Sequence, residues 1–362
     1  MGNYIFSESW KDNQVATMYE QIKVFLIWTY FQLIGVWKIL QEQIWDRHRS
    51  ISLAQMPNVR NKTLVITGGN RGIGFEAVKM LIPYGCHVII GCRRPIEASE
   101  IILKSLEEQK KRIPNEELLN AYGSFECLKL NVASLQSVRD FVSEISKRQC
   151  DVNMLINNAG VMFGPYELSE DGLENQMATN YFGHFLLTSL LLPTLKATAE
   201  KTNTNSRVIN VASCAHFAGS WLNLDDLNAK KYYSAYQTYC NSKACQIMFT
   251  KYLDQKLRTA ECENVHVNCI HPGVVNTGLF QHVGWTRWFS FFPLIFFKNA
   301  KQGGESIVNA VTSSNIDGIG GLYIDNSRPV RSSSFVNNVG NQTTLWEKSC
   351  EILQIREFGV PI

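Results

Sequence analysis

A strand-like run that leads into a glycine-rich turn and then into a helical pattern constrains the fold of this chain most strongly. The apolar run 63–66 enters the sequence TGGNRGIG at 67–74, and the helical pattern EAVKMLI follows. In an α/β sheet, this order presents the N-terminus of the helix to a phosphate group. Gly68 and Gly72 permit the tight turn and a close approach of ligand to backbone, and Gly74 lets helix and strand pack. The segment therefore predicts an α/β fold with a doubly wound parallel sheet of the Rossmann type, although its spacing GxxxGxG differs from the dinucleotide fingerprint GxGxxG.

A tyrosine and a lysine further along the chain indicate proton transfer. Tyr239 and Lys243 lie four residues apart in YCNSK, a spacing that puts both side chains on one face of a helix. An ammonium beside a phenol stabilises the phenolate, so a group with an ordinary pKa of about 10 can exchange protons nearer neutrality. Reduction of a carbonyl or oxidation of an alcohol requires such an exchange. The spacing alone is common on solvated helix faces, and the upstream glycine turn is what gives it meaning.

Further motifs follow the glycine turn in a definite order. They are NNAG at 157–160, Asn180 in NYFGHF, Ser213 at the end of RVINVAS, the tyrosine–lysine pair, and PG at 272–273 with Thr277 after the run VHVNCI. This ordered set resembles the short-chain dehydrogenase/reductase superfamily, whose glycine spacing GxxxGxG also matches. The resemblance covers about 61–326 and implies a single catalytic domain, 61–362, that binds NAD(P)(H) and interconverts alcohols with aldehydes or ketones.

The resemblance also implies roles for individual residues. Tyr239 is expected to act as acid in carbonyl reduction and as base in alcohol oxidation, while Ser213 hydrogen-bonds the substrate oxygen. Lys243 is expected to lower the pKa of the tyrosine and to hold the nicotinamide ribose, and Asn180 to hold a water that links Lys243 to solvent. The implied cofactor site comprises Gly68, Asn70, Arg71, Gly72, Ile73, Gly74, Arg93, Asn131, Val132, Asn158, Ala159, Gly160, Tyr239, Lys243, Pro272, Gly273, Val275 and Thr277. Outside this context, a serine at a strand end is usually a cap and a helical asparagine a local hydrogen-bonder.

The end of the second predicted strand bears on the choice between cofactors. An NAD enzyme normally offers an acid there to the ribose hydroxyls, whereas this chain has Cys92 and Arg93. The guanidinium groups of Arg93 and Arg71 can bind a 2′-phosphate through charge-assisted hydrogen bonds, so NADP(H) is favoured over NAD(H). Asn131 stands where relatives commonly have an aspartate near the adenine. The substitution keeps an acceptor but weakens that expected contact.

Charge and cysteine content exclude several other classes. A net charge of +3 on 362 residues is too slight to indicate a nucleic-acid partner. The ten cysteines form no CxxC pair and no His/Cys cluster at metal spacing, so neither a metal site nor a disulfide framework is expected. Unpaired cysteines suit a reducing compartment. Helix-mediated pairing, frequent in the family, adds a homodimer to the expectations.

Residues 1–60 form an N-terminal extension with an apolar, aromatic segment at about 22–40. As a helix, its central part 24–37 would span about 21 Å, short of the roughly 30 Å hydrocarbon core of a bilayer. Flanking apolar residues and the snorkelling of Lys23 and Lys38 would extend it. A spanning anchor, an interfacial helix, and a helix packed on the domain or on a dimer partner all remain open. No small-residue cleavage site follows, which argues against a signal peptide.

The charges beside this segment give it an orientation if it does span. The stretch 38–62 carries five basic residues against two acidic ones, while 1–23 carries two lysines against three acidic residues. By the positive-inside rule, the catalytic domain then faces the cytosol. The expected location is membrane-associated, at the endoplasmic reticulum, with the catalytic domain facing the cytosol.

A second aromatic stretch at 285–297, WTRWFSFFPLIFF, lies where family members cover the substrate. It predicts an apolar pocket, a lid that dips into the membrane, or both, although a place in the ordinary core stays open. With the N-terminal segment it indicates a lipophilic substrate. Through the motifs NNAGVM, NYFGHFLLT and PGVVNT the chain resembles the retinol-dehydrogenase-like group most. That resemblance implies isoprenoid, retinoid or steroid alcohols and their carbonyl forms. The alternative is a catalytically quiet member that acts as a scaffold or a secreted signalling factor.

Overall fold

A computed structural model describes residues 18–41, 59–111, 122–219, 222–276, 278 and 297–360. Its strands are β1 Thr63–Thr67, β2 His87–Cys92, β3 Phe125–Lys129, β4 Met154–Asn157, β5 Ser206–Val211, β6 Val265–His271, β7 Tyr323–Asp325 and β8 Arg328–Val330. Together they form one sheet in the order β3-β2-β1-β4-β5-β6-β7-β8. Neighbouring strands from β3 to β7 pair in parallel, and β8 pairs antiparallel with β7.

Helices cover both faces of this sheet. The main ones are α1 Met18–Gln41, α2 Gly72–Leu81, α3 Pro95–Lys110, α4 Leu135–Lys147, α5 Gly183–Thr202, α6 Ala235–Thr259, α7 Ala300–Thr312 and α8 Val339–Ile352. Shorter helical pieces are Ile82–Tyr84, Asn175–Met177, Ala178–Phe182, Cys214–Gly219, Ser314–Ile316 and Ser334–Asn337. Apolar side chains of α2, α3 and α7 form one core layer, and those of α4, α5, α6 and α8 form the other. The predicted doubly wound parallel sheet is confirmed.

Strand β1 shows why a continuous apolar run folds this way. Leu64 and Ile66 point into the layer of α2, α3 and α7, whereas Val65 points into the opposite layer. All three side chains are fully buried. Because successive side chains of a strand alternate between faces, a strand buried on both faces must be apolar at every position.

The strand order also determines where a ligand can enter. Strand β1 pairs with β2 on one side and with β4 on the other, so the winding of the chain reverses between β1 and β4. In open parallel sheets, the crevice beyond the carboxyl ends of the strands at such a reversal is the usual ligand site. The glycine turn after β1 and the NNAG motif after β4 meet there.

Helix α1 lies against the catalytic domain, beside the turn Cys214–Gly219 and the helix α6. Its Ile27 is buried, and Phe31 and Ile34 pack on a small apolar cluster that includes Tyr239. The opposite side of the helix leaves Phe25, Leu33 and other apolar side chains exposed. This is the packed arrangement that the sequence left open. Among the residues that the structure describes, no helix combines the length and the apolarity needed to cross a membrane.

Candidate active site

The glycine turn after β1 is shaped for a ligand that approaches the backbone closely. Gly68 and Gly72 adopt positive φ angles of 66° and 58°, which L-residues rarely adopt. A Cβ atom at Gly68 would lie 3.2 Å from the Cα of Ala159. The N-cap residue of α2, Arg71, makes no side-chain hydrogen bond to the first turn of its helix. The amides of that turn therefore remain available to a phosphate group.

Asn158 holds the glycine turn onto the end of β4. Its side-chain Nδ2 donates to the carbonyl oxygens of Thr67 at 2.8 Å and of Gly68 at 3.2 Å. A Cβ atom at Gly74 would stand only 2.5 Å from that Nδ2 and 2.6 Å from the oxygen of Gly68. Gly74 thus keeps space for this clamp, which is more specific than the packing role expected from the sequence.

A second connection in the same place was missed by the sequence reasoning. The hydroxyl oxygen of Thr67 accepts the backbone N–H groups of Asn158 and Ala159, each at 2.9 Å. Its proton is donated to Nε2 of His184, whose Nδ1 donates to the carbonyl of Asn180 at 3.2 Å. Burial lowers the pKa of His184 to about 3, so the ring is neutral and acts as a fixed connector. No local motif marks this contact, because it joins residues 117 positions apart.

The structure brings Ser213, Tyr239 and Lys243 together beyond the carboxyl ends of β5 and β6. Ser213 follows β5, and its side chain is hydrogen-bonded to the phenol of Tyr239. Tyr239 and Lys243 project from one face of α6, with Nζ of Lys243 5.8 Å from the centre of the phenol ring. That ammonium donates to the carbonyl of Val211 at 2.8 Å and to Oε1 of Gln246 at 3.0 Å. Gln246 was not expected from the sequence.

The protonation of this pair differs from the sequence-based expectation. Burial lowers the pKa of Lys243 to about 7. Burial also raises the pKa of Tyr239, and the hydrogen bond from Ser213 opposes that rise only in part. The lysine was expected to lower the tyrosine pKa. In this geometry Nζ of Lys243 donates to Val211 and Gln246, and desolvation of the phenolate is the dominant influence on the pKa of Tyr239.

Asn180 lies in a π-helical turn, Ala178–Phe182, at the start of the helical stretch that continues as α5. Its Oδ1 accepts the N–H of Val161 at 2.9 Å, and its Nδ2 donates to the carbonyl of Val161 and to Oγ of Ser242. The side chain therefore joins the NNAG loop to α6, which carries Tyr239. π-Helical turns within α-helices frequently occur at functional sites.

One cavity of about 1870 Å³ unites these parts. Typical ligand sites measure about 300–1,000 Å³, so this volume exceeds the need of a single small ligand. The predicted residues that line it are Gly68, Asn70, Arg71, Gly72, Ile73, Arg93, Asn131, Val132, Asn158, Ala159, Gly160, Ser213, Tyr239, Lys243, Pro272, Gly273 and Val275. Gly74 and Asn180 do not line the cavity; they contact Asn158 and Val161, which do. Thr277 lies outside the described residues.

Aromatic side chains form the wall of the cavity beside Tyr239. The ring of Phe163 meets that of Tyr239 edge to face, with centroids 5.4 Å apart, and tilts onto Tyr236 at 4.3 Å. Phe163 has a positive φ of 59°, a strained conformation that costs about 1–3 kcal/mol and persists only where neighbours impose it. Its N–H donates to Oε1 of Gln176 at 2.7 Å, which holds the backbone in that conformation. Of the aromatic stretch 285–297, only Phe297 lies within the described residues, and it lines the same cavity.

The other end of the cavity carries the residues considered for cofactor choice. Cys92 ends β2, and the exposed Arg71 and Arg93 line the cavity near it. Arg94 pairs with Glu97 at 3.2 Å, whereas no carboxylate pairs with Arg71 or Arg93 among the residues described. Asn131 accepts the N–H of Ala133 through its Oδ1 at 3.3 Å. The side-chain oxygen of Asn131 is thus hydrogen-bonded within its own turn.

These features fit a dinucleotide. Two glycines with positive φ, a close backbone approach at Gly68, and free amides at the start of α2 form a cradle that a Cβ atom at Gly68 would narrow. The cavity runs from this cradle to Tyr239. A doubly wound sheet with such a cradle at its switch point and a Ser–Tyr–Lys group in the same cavity defines an NAD(P)-dependent oxidoreductase acting on CH–OH or C=O groups.

Comparison with known proteins identifies the family. The sequence model of the short chain dehydrogenase family matches residues 62–287, and the chain belongs to this family. Human polyprenol dehydrogenase is 35% identical over 294 residues, which cover 81% of this chain and 85% of that protein. Human retinol dehydrogenase 11 is 32% identical over 311 residues, or 86% and 89% of the two chains. The expected resemblance to the retinol-dehydrogenase-like group is confirmed.

A solved structure supports the fold independently. The crystal structure of an uncharacterised protein from Mycobacterium paratuberculosis superposes with a TM-score of 0.66 at 28% identity. The match covers 87% of this chain and all of that one.

Proposed function

We propose that this protein is an NADP(H)-preferring oxidoreductase that interconverts a lipophilic alcohol with its aldehyde or ketone, with Tyr239 as acid and base. The substrate class is isoprenoid, retinoid or steroid. One observation carries the proposal: the phenol of Tyr239, hydrogen-bonded to Ser213, lies where the glycine cradle and an aromatic wall meet in a single cavity.

The protein groups divide the proton chemistry among themselves. A bound nicotinamide cofactor supplies or accepts the hydride. Because burial raises the pKa of Tyr239, its phenol is protonated at neutral pH, the state that a general acid needs in carbonyl reduction. Ser213 donates to the substrate oxygen and holds it beside that phenol. Lys243, whose pKa is lowered to about 7, can release or take up a proton near neutrality behind the tyrosine.

The preference for NADP(H) rests on charge at the second strand end. Arg71 and Arg93 line the cavity there, and no ion pair among the described residues engages either of them. Cys92 occupies the position where an acidic residue would repel a 2′-phosphate. A guanidinium binds a phosphate through bidentate, charge-assisted hydrogen bonds, which favours the phosphorylated cofactor.

The substrate class rests on the apolar wall and on the relatives. Met162 and Phe163 pack in one apolar cluster with Tyr239. With Phe297, which lines the same cavity, they offer a long hydrocarbon chain apolar contacts. The names of two similar proteins, polyprenol dehydrogenase and retinol dehydrogenase 11, refer to alcohols of this kind.

Membrane attachment follows from the outer side of α1. Phe25, Leu26, Leu33, Trp37 and Leu40 are each between 47% and 62% exposed. Apolar side chains so exposed on one helix favour insertion into the interfacial region of a bilayer. We assign the protein to the membrane of the endoplasmic reticulum, with the catalytic domain on the cytosolic side, where a reducing environment suits its free cysteines.

Product analysis tests this function. Membranes that contain the full-length protein are incubated with isoprenoid, retinoid and steroid alcohols and carbonyls under each cofactor, and products are identified by mass spectrometry. Conversion of one such class, faster with NADP(H) and absent with Tyr239→Phe, supports the proposal. Conversion that Tyr239→Phe retains, or a preference for NAD(H), contradicts it.

A further inference from the structure

The cavity beside Tyr239 is not enclosed by the catalytic domain alone. Side chains and backbone of α1 line it as well, namely Trp28, Phe31, Gln32, Ile34, Gly35 and Val36. Trp28, Phe31, Gln32 and Gly35 repeat at intervals of three and four residues and so share one side of the helix, which Ile34 and Val36 flank. The extension that precedes the Rossmann domain therefore contributes a wall to the site.

A single ring separates this wall from the reacting phenol. Phe31 meets Phe163 edge to face, with centroids 5.4 Å apart, and also contacts Tyr236 at 5.9 Å. Phe163 in turn meets Tyr239 at 5.4 Å. A substrate held against Tyr239 and Phe163 would thus extend along α1.

An ion pair holds the helix in this position. Lys38, in the last turn of α1, pairs with Asp325 at the end of β7. The two side chains are 12% and 4% exposed, so the pair is largely withdrawn from water. Removal of one partner from a buried pair leaves an uncompensated charge, which makes such a contact a strong positional constraint.

We propose that α1 completes the substrate site: Phe31 determines which lipophilic chains fit beside Tyr239, and the Lys38–Asp325 pair keeps the helix docked. This inference rests on the proposed function, because it takes the substrate to be lipophilic. The same helix turns its other side, with Phe25 and Leu33, outward. It therefore forms the boundary between the pocket and the apolar surface assigned to the membrane.

Gly35 offers the sharpest test of the wall. A Cβ atom built there meets no heavy atom within 4 Å, and the residue lines the cavity. Gly35→Leu therefore starts from an open Cβ position on the wall of the pocket, and it raises helix propensity. Phe31→Ala has the opposite effect, because it removes an aromatic ring from the wall of the pocket. Leu33→Ala, on the exposed side of the same helix, is the matched control.

The first assay measures binding and needs no turnover. Full-length protein in nanodiscs of uncharged phospholipid is titrated with a dansyl-labelled sixteen-carbon alcohol, and fluorescence gives the Kd. We expect Gly35→Leu and Phe31→Ala each to weaken binding by roughly tenfold and Leu33→Ala by less than about twofold, while the Kd of NADPH is unchanged. Equal Kd values for all variants, or a wild type that does not bind the probe, would overturn the proposal.

The second assay tests the docking. Hydrogen exchange followed by mass spectrometry compares wild type with Lys38→Met. Faster exchange around Phe163, together with weaker probe binding, is expected if the ion pair holds α1 over that loop; unchanged exchange and binding would refute the role of the pair. Turnover of lipid aldehydes is recorded separately. A wild type that binds the probe but reduces no aldehyde would defeat the proposed function while leaving the helix result intact.

Discussion

The substitution Gly74→Ala should disable the dinucleotide cradle through a single methyl group. The new Cβ atom would stand 2.5 Å from Nδ2 of Asn158 and 2.6 Å from the backbone oxygen of Gly68, both well inside van der Waals contact. Relief requires Asn158 to leave its bonds to Thr67 and Gly68. Overpacking costs about 1–3 kcal/mol, and each lost hydrogen bond costs about 0.5–1.5 kcal/mol. With two such bonds lost, we expect a decrease of about 2–6 kcal/mol in the free energy of unfolding.

Two measurements check this prediction. Urea denaturation gives the loss of stability, and titration of NADPH fluorescence should show a Kd raised at least about tenfold, because the turn that meets the phosphates has moved. Gly164→Ala is the control, since a Cβ atom there meets nothing within 4 Å although the residue lines the same cavity. It should change stability by less than about 1 kcal/mol. If Gly74→Ala and Gly164→Ala have the same free energy of unfolding and the same Kd for NADPH, the hydrogen bonds of Asn158 do not stabilise the turn.

Three further predictions concern charge and protonation. Lys243→Ala should lower both turnover and cofactor affinity, because the same ammonium is assigned to the tyrosine and to the ribose. If steady-state kinetics and cofactor titration were unchanged and only the stability of the protein fell, Lys243 would have no role in the site. Arg93→Ala should weaken the binding of NADPH more than that of NADH by roughly 1.5–3 kcal/mol, and Cys92→Asp should shift the preference towards NADH. Equal losses in affinity for both cofactors would show that these residues do not bind the 2′-phosphate. Burial raises the pKa of Glu174 to about 7 from its ordinary 4.5, so the folded state holds a proton that the unfolded state releases: this stabilisation is complete below pH 4.5 and is lost as pH rises through 7. Glu174→Gln should therefore flatten the decline in unfolding free energy between pH 5 and 8, by up to about 3 kcal/mol, and an unaltered pH profile in thermal denaturation would contradict the assigned pKa.

The sequence predicted those parts of the site that depend on local backbone chemistry. A glycine turn between an apolar strand and a helix leaves one arrangement for Gly68, Gly72 and Gly74, and the i, i+4 spacing on α6 leaves one face for Tyr239 and Lys243. The parallel topology then brings these two segments together at the ends of β1 and β5. Pattern and order were sufficient for this level of prediction.

Contacts between distant segments could not be predicted in this way. Nothing in the local sequence marks His184 as the partner of Thr67, or Gln176 as the support for the strained backbone of Phe163. The pKa of Tyr239 was predicted in the wrong direction, since the spacing conveys proximity to Lys243 but not the burial that dominates. The packing of α1 depends on Phe31 and Lys38 meeting Phe163 and Asp325, residues more than a hundred positions away.

Isotope transfer tests the central claim most directly. Full-length protein is supplied with NADPH deuterated at C4 of the nicotinamide, in each of its two epimers separately, and with lipid aldehydes of the proposed classes. We expect one epimer to deliver deuterium to the carbinol carbon of the alcohol product, and Tyr239→Phe to slow that transfer at least about a hundredfold while it still binds NADPH. An alcohol product free of deuterium with both epimers, or a Tyr239→Phe variant that transfers at the wild-type rate, would contradict the account.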